Sequence, residues 1–222
     1  MTARDNILSR IRAAQGRSGA PSEAERALVA AHVSAHPPGP RPQSAAEPVA
    51  GFSACAVKLS TTVDQVGGMA KVPQAVARYL EQNNLPKSAV CWPEFFELEW
   101  QAAGISVESR PAQGSDLVGI TGAFCAIAET GTLMTLSGPR TPATTSLLPE
   151  THIAVVRTGR IVRGMEDAWM LLREEQGANF MPRAVNFISG PSRTADIEQT
   201  LVLGAHGPYR VHIVLVGDAV TN

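Results

Sequence analysis

Thr61–Ser109 reads TTVDQVGGMAKVPQAVARYLEQNNLPKSAVCWPEFFELEWQAAGISVES. Thr61–Val66 is rich in β-branched residues and stops at Gly67-Gly68, the pattern of a strand and its turn. Val72–Glu81 puts Val72, Val76 and Leu80 on one helical face. Ala89–Trp92 then predicts a short strand, Glu94–Ala103 a helix and Ile105–Ser109 another strand. Strands that alternate with helices at this spacing argue an α/β fold, a mostly parallel sheet flanked by helices. Val49–Leu59, just upstream, predicts one more helix. Trp92, Phe95 and Trp100 belong to the core on this reading, because no basic residues interleave with them as they would on a base-stacking platform.

Upstream, His36–Pro48 (HPPGPRPQSAAEP) carries five prolines and reads as a semi-rigid linker. It divides the chain into an N-terminal helical arm with its Pro-rich linker, residues 1–48, and an α/β body, residues 49–222. Residues 2–15 form an amphipathic pattern, with Ile7, Leu8, Ile11 and Ala14 on one face and Arg4, Arg10, Arg12 and Arg17 around it. Such a start is either an arm that docks on the body or a partner, or a mitochondrial presequence. The chain continues directly into a second helix with a capping box, Ser22-x-x-Glu25 behind Pro21, which favours the arm.

The composition excludes several function classes. A net charge of -1 exerts no long-range pull on nucleic acid or an anionic membrane. Ile7 and Leu8 are followed at once by Arg10 and Arg12, and no apolar run approaches the roughly 18 residues of a membrane span. A cytoplasmic protein without a membrane span is therefore expected. Cys55, Cys91 and Cys125 stand 36 and 34 positions apart with no CxxC, which is not the spacing of a zinc or iron–sulfur site. They read as lone buried thiols, and no metal site or resident cofactor is expected in this chain. A chain of 222 residues can bury a substantial core without disulfides or metal.

Downstream, two stretches carry functional groups. In Leu117–Arg140 the pattern breaks at Thr121-Gly122, and Ala123–Ala128 reads as a small apolar turn of helix. Glu129-Thr130-Gly131 then leads into a strand, Thr132–Leu136, which Ser137-Gly138-Pro139-Arg140 ends. Glu129 follows six uncharged residues, so its carboxylate is either a structural anchor or a poised functional group. His152, opening the strand His152–Val156, reads as an oriented structural residue. In Phe187–Pro208 (FISGPSRTADIEQTLVLGAHGP), Val185–Ile188 ends a buried strand and Ser189-Gly190-Pro191-Ser192 turns tightly. Thr194 is then a candidate N-cap for a helix with Asp196 and Glu198 in its first turn and Ile197, Leu201 and Val202 on one face. Strand, small-residue loop and helix N-terminus would together hold an anion, with Arg193 as a planar bidentate donor. The plainer reading is a capped helix with Arg193 paired to Asp196 or Glu198.

Glu129-Thr130-Gly131-Thr132, Leu147-Leu148-Pro149-x-x-His152-Ile153, the run Ser189–Glu198 and Gly204-x-His206-Gly207-Pro208 resemble the lactate utilization protein C family, the LUD-domain proteins. The opening Ile7-Leu8-Ser9-Arg10-Ile11-Arg12 is similar too, whereas residues 49–110 resemble the family only loosely. The resemblance implies a fold shared with glucosamine-6-phosphate deaminase, ribose-5-phosphate isomerase and CoA-transferases. It also implies a non-redox subunit that works beside two iron–sulfur proteins in oxidising L-lactate to pyruvate, the clusters residing on those partners. Glu129-Thr130-Gly131 resembles the Glu-x-Gly turn of the CoA-transferases, while no CoA-binding glycine motif is present. The alternative is thus a free-standing enzyme of that superfamily with Glu129 as base or nucleophile. On either reading, Glu129, Arg140, Arg193 and His206 are expected to line one pocket. Glu129 and His206 would be its catalytic candidates, and Thr130, Gly131, Thr132, Arg140, Ser189, Gly190, Ser192, Arg193 and Thr194 would bind a small anion.

Overall fold

The computed structural model describes residues 2–17, 19–37, 39–42, 47–178, 180–195, 200 and 202–217. The chain forms two compact units, residues 1–41 and 42–222. The first holds α1 (Ala3–Ala14) and α2 (Glu23–Ala35). Each opens on a reciprocal capping box. In the second, Glu25 N donates to Ser22 Oγ at 3.2 Å and Ser22 N to the Glu25 carboxylate at 2.7 Å, satisfying two donors a helix start leaves orphaned. Neither helix has a buried residue.

The second unit runs α3 (Pro48–Lys58), β1 (Thr62–Val66), α4 (Val72–Gln82), β2 (Ser88–Cys91), β3 (Ser106–Ser109), β4 (Val118–Gly122), β5 (Cys125–Ile127), β6 (Thr132–Leu136), α5 (Thr144–Leu147), β7 (Thr151–Arg157), β8 (Ile161–Val162), α6 (Met165–Gln176), β9 (Val185–Ile188), β10 (Arg193–Thr194), β11 (Val202–Leu203) and β12 (Arg210–Val216). Six strands form one sheet in the order β1-β12-β7-β4-β2-β3, every pair parallel. This is the expected mostly parallel sheet flanked by helices. A second sheet, β8-β5-β6-β9, is an addition the sequence reading did not contain. Its strands come from two excursions, β5 and β6 between β4 and β7, and β8 and β9 between β7 and β12.

A parallel sheet must be covered on both faces, and each face here has its own core. On one side α4 lays Val72, Ala75, Val76, Tyr79 and Leu80 against Ile120, Ile153, Val155, Val214 and Val216. On the other, Phe52 and Ala56 of α3 join Ala126 and Leu133 of the second sheet over Ala154, Val156, Val211, Ile213 and Leu215. α6 then covers the outside of the second sheet, packing Ala168 and Leu172 on Cys125, Ile127 and Met134. Among the described residues no helix is long and apolar enough to cross a membrane.

Three local expectations are overturned. Ala123–Ala128 is not helical, because Cys125–Ile127 is strand β5. Ala126 and Ala128 face one core while Cys125 and Ile127 face the other, so the apolar run lacks the polar alternation that marks a one-sided strand. Glu94–Ala103 is not a helix but two 3₁₀ turns, Pro93–Phe95 and Gln101–Ala103. The buried pair, Phe95 and Trp100, is five residues apart, off the helical period, and the Trp100 indole N–H donates to Phe95 O at 2.7 Å. The helix capped by Thr194 is replaced at both ends by an antiparallel ribbon, in which Thr194 pairs with Val202 and Arg193 with Leu203. Asp196, Ile197, Glu198 and Leu201 lie outside the described residues, as do the suggested Arg193 pairings with those acids. Val185–Ile188 is a strand as expected, but an edge strand only half buried.

Two histidines lie within the parallel sheet. His152 Nε2 lies 2.7 Å from Thr121 Oγ1, which itself donates to Gly122 O at 2.9 Å. The threonine's one proton is therefore used, and the imidazole must donate from Nε2 as the neutral tautomer. His212 stacks on Tyr79 with ring centroids 3.9 Å apart, and its Nδ1 lies 2.9 Å from Thr62 Oγ1. Burial pushes each imidazole down to about 4 from an ordinary 6.5. Between those values the unfolded chain binds the protons that the folded one excludes. Stability is therefore fully present above about pH 6.5 and lost as pH falls toward 4, by on the order of 3 kcal/mol for each histidine. Melting temperature followed from pH 7 to 4.5 is expected to fall through this window, with a shallower slope in His212→Gln; an unchanged slope would contradict this role.

Candidate functional site

The sequence-derived candidates divide between places that do not form one pocket. Thr130, Thr132 and Ser189 do come together, as a hydroxyl chain with Thr130 Oγ1 2.8 Å from Thr132 Oγ1 and Thr132 Oγ1 2.7 Å from Ser189 Oγ. Gly131 lies at φ +65° against α3, where a Cβ would stand 2.4 Å from Ala56 N. Gly190, at φ +80°, would place a Cβ 2.4 Å from Leu59 O. Arg193 reaches the same turn, donating from Nη2 to Leu59 O at 3.2 Å and to the Ser60 hydroxyl. Leu59 and Ser60 end α3, and Ser60 holds a left-handed φ of 65° without being glycine. Arg193 thus supplies a cation and donors to a helix C-terminus whose carbonyls lack intrahelical partners. Its loop binds protein rather than presenting a helix N-terminus.

Ser192 and His206 lie together at the start of β12. Ser192 N donates to Pro208 O at 2.9 Å, and His206 N to Ser192 Oγ at 3.4 Å, while the His206 side chain is exposed. Thr194 is in β10, and its backbone pairs across the ribbon. Because Leu59 and Ser60 precede β1 and Pro208 precedes β12, these loops seal the amino edge of the six-stranded sheet. Glu129 serves another element. Its Oε1 accepts from Met165 N at 3.0 Å, and its own N–H donates to Arg163 O at 3.0 Å. A carboxylate on the first N–H groups of α6 both satisfies an orphan donor and complements the helix dipole.

The opposite, carboxyl edge is open. A cavity of about 590 Å³ lies there, lined among others by Met69, Trp92, Glu94, Phe95, Gly122, Phe124, Arg157 and Arg160. Trp92 and Glu94 follow β2, Gly122 ends β4, and Arg157 ends β7. β2 and β4 are neighbours, yet the chain leaves β2 toward β3 on one side and β4 toward β7 on the other. Connections that part in this way open a crevice beyond the strand ends, the usual ligand position in open α/β sheets. The crevice is held open by side-chain anchoring, with the Trp92 indole N–H donating to Pro142 O at 3.2 Å and Thr141 Oγ1 to Leu136 O at 2.7 Å.

Glu94 supplies the polar centre of this crevice. The residue as a whole is exposed at the mouth, but its carboxyl lies over Gly122, where a Cβ would meet Oε1 at 2.5 Å. Neighbouring protein strips the carboxyl of hydration and raises its pKa, against the opposing positive fields of Arg157 and then Arg140. Arg140 is therefore the one residue of the expected pocket whose charge bears on this crevice. Among the described residues Glu94 has no hydrogen-bond partner and Arg157 no carboxylate within ion-pair distance. Arg160 is committed elsewhere, donating to Phe124 O at 2.8 Å, pairing with Glu175 and lying 4.8 Å over the Phe124 ring. A poised carboxyl beside a free guanidinium can hold an anion and exchange a proton with it.

Glu94 and Arg157 are functional candidates that the sequence reading missed. Arg157 is the polar residue that ends the apolar run of β7, and Glu94 is the first polar residue after β2 and Trp92-Pro93. A rule that inspects the first polar residue beyond each buried parallel strand would have selected them. Cys91 and Cys125 lie in separate cores, on β2 and β5, where burial pushes each thiol up to about 12.

A family model described as LUD domain matches residues 56–216. A protein named Lactate utilization protein C from Exiguobacterium sp. is 38% identical over 143 residues, 64% of this chain and 62% of that one. Its namesake from Geobacillus sp. is 40% identical over 102 residues, 46% of this chain and 42% of the relative. The Bacillus subtilis protein of that name is 37% identical over 121 residues, 54% and 50% of the two chains. The chain thus spans about half the length of the curated relatives it matches. A crystal structure of a DUF162 family protein from Deinococcus radiodurans superposes with a TM-score of 0.59 at 23% identity, covering 79% of this chain and all of that one, and so shares the fold.

Where Arg193 caps the end of α3 and Glu129 the start of α6, Arg193→Ala and Glu129→Gln should each cost about 1 kcal/mol of stability. In a protein of this size that lowers the melting temperature by roughly 2–4 °C. Thermal denaturation measures this, and unchanged melting in both variants would contradict the assignment.

Proposed function

The chain belongs to the LUD domain family, and on that premise we propose that it is a non-redox subunit of an L-lactate utilisation system. It acts with two iron–sulfur proteins in converting L-lactate to pyruvate and binds a small anion at the carboxyl edge of its sheet. The names of its relatives support the role in lactate utilization. The second rests on one observation, the crevice between the diverging ends of β2 and β4 with Glu94 and Arg157 at its wall. Lactate and pyruvate are carboxylates, and a guanidinium is the donor best matched to that group.

The cavity volume also bears on the subunit reading. About 590 Å³ suits a drug-sized ligand. A three-carbon acid fills only part of it and leaves space for a group brought by a partner. Oxidation of lactate needs an electron acceptor, which this proposal assigns to the iron–sulfur partners. The thiols of Cys91 and Cys125, held protonated by burial, are poor ligands for a cluster. A cytoplasmic location forms part of the same proposal.

A second reading keeps one observation in its favour. An enzyme of the isomerase or CoA-transferase type needs a carboxyl at the site, and Glu94 supplies one. Glu129, the residue first suggested for that chemistry, has its carboxylate engaged by the Met165 N–H.

The test is growth on L-lactate of a host that depends on this gene. Arg157→Ala is expected to abolish or strongly slow growth on L-lactate, at unchanged protein level and melting temperature, while growth on pyruvate continues. Wild-type growth on L-lactate with Arg157→Ala would overturn the assignment of the site.

A further inference from the structure

The carboxyl-edge crevice restricts which anions it can take. Gly122 ends β4 with no side chain, and the Glu94 carboxyl occupies the space a Cβ would need. The carboxyl is thereby set at the cavity wall together with Arg157, which leaves the neighbouring strand β7, and the two interact electrostatically. Two further guanidinium groups bear on this region. Arg140 comes from the loop after β6 and also acts on Glu94, and Arg160 lines the cavity but is neutralised by Glu175. Trp92, Phe95, Phe124 and Phe180 supply the apolar remainder.

An anionic ligand paired with Arg157 would meet an ionised Glu94 as a like charge close by, which is destabilising. A neutral Glu94 removes that repulsion and becomes a hydrogen-bond donor at the same spot. Partial burial over Gly122 shifts the carboxyl toward the neutral form, in the same direction. A ligand that offers a carboxylate to Arg157 and an adjacent oxygen to Glu94 satisfies both groups, and a plain carboxylate satisfies one.

We infer that Glu94 binds ligand as the protonated acid, hydrogen-bonded to the C2 oxygen of a 2-oxo- or 2-hydroxy-carboxylate whose carboxylate is held by Arg157. The inference rests on the anion site proposed above and assigns the group that reads the ligand's C2 oxygen. Binding is then coupled to uptake of a proton wherever free Glu94 is ionised. Affinity falls as pH rises above the range of the free carboxyl, by about tenfold per pH unit.

Isothermal titration of the full chain with pyruvate, L-lactate and propionate, in two buffers of different ionisation enthalpy, tests this. Pyruvate and lactate are expected to bind roughly tenfold or more tightly than propionate, which lacks the C2 oxygen. Proton uptake should rise toward one per ligand as pH increases from 5 to 8, and Glu94→Gln should show none at any pH. Arg157→Ala should weaken every ligand at least about tenfold. If Arg157→Ala weakens binding but Glu94→Gln takes up protons like the wild type, or propionate binds as well as pyruvate, this inference fails and the anion site stands. If Arg157→Ala binds as the wild type does, or none of the three ligands binds, both fail.

Discussion

A parallel sheet with six strands offers no face to water, and the backbone that joins its strands must cross over covered surface each time. This requirement organises the whole second unit. One face is covered by α4 and the turns that carry Phe95 and Trp100. The other is covered by α3 and by a second sheet drawn from the two connections on either side of β7. Since the covering sheet is itself apolar on both sides, it needs α6 outside it. The consequence is a division between the two edges of the main sheet. Loops from the second sheet and the β10–β11 ribbon close the amino edge, while the diverging chain paths leave the carboxyl edge open.

The same division accounts for the contacts that the most distinctive stretch of sequence makes with the end of α3. Glycine at 190, arginine at 193 and the small turn around Gly131 are demanded by close backbone approach to the end of α3. Such contacts are specific in sequence because nothing larger than glycine fits and few side chains besides arginine reach. Glu129 has a comparable explanation in the start of α6. A strongly patterned loop is evidence of constraint, and here the constraint comes from packing of the protein against itself.

Within the main sheet β1, α4 and β2 were legible because each keeps the period of its own geometry and Gly67-Gly68 punctuates them, whereas β4 and β12 carried no strand expectation. In the second sheet β6 and β9 were legible as strands, but β5 and the pairing of the sheet were not. β5 is buried on both sides, so Ala123–Ala128 presents an unbroken apolar run in which a strand and a buried helix look alike. The ribbon of β10 and β11 was missed because its pairing is set by tertiary contact at Ser192 and Pro208, while its local sequence carries helix-capping residues. Arg140 was expected in a pocket with Glu129, Arg193 and His206, and its field on Glu94 has no counterpart in that expectation. Glu94 opens a stretch with a helical pattern, and its place at the crevice comes from lying over Gly122, a residue 28 positions away in a neighbouring strand. That contact has no local signal.

The central claim is that ligands are taken at the carboxyl edge of the parallel sheet and that the loops at the amino edge hold the fold together. A two-dimensional proton–nitrogen spectrum titrated with pyruvate addresses it directly, because the two edges carry separate reporters. The indole N–H of Trp92 and the amides of Gly122 and Phe124 lie at the carboxyl edge, and the amides of Ser192, Gly204 and His206 at the amino edge. The account predicts saturable shifts in the first group and none in the second. Shifts confined to Ser192, Gly204 and His206 would contradict it.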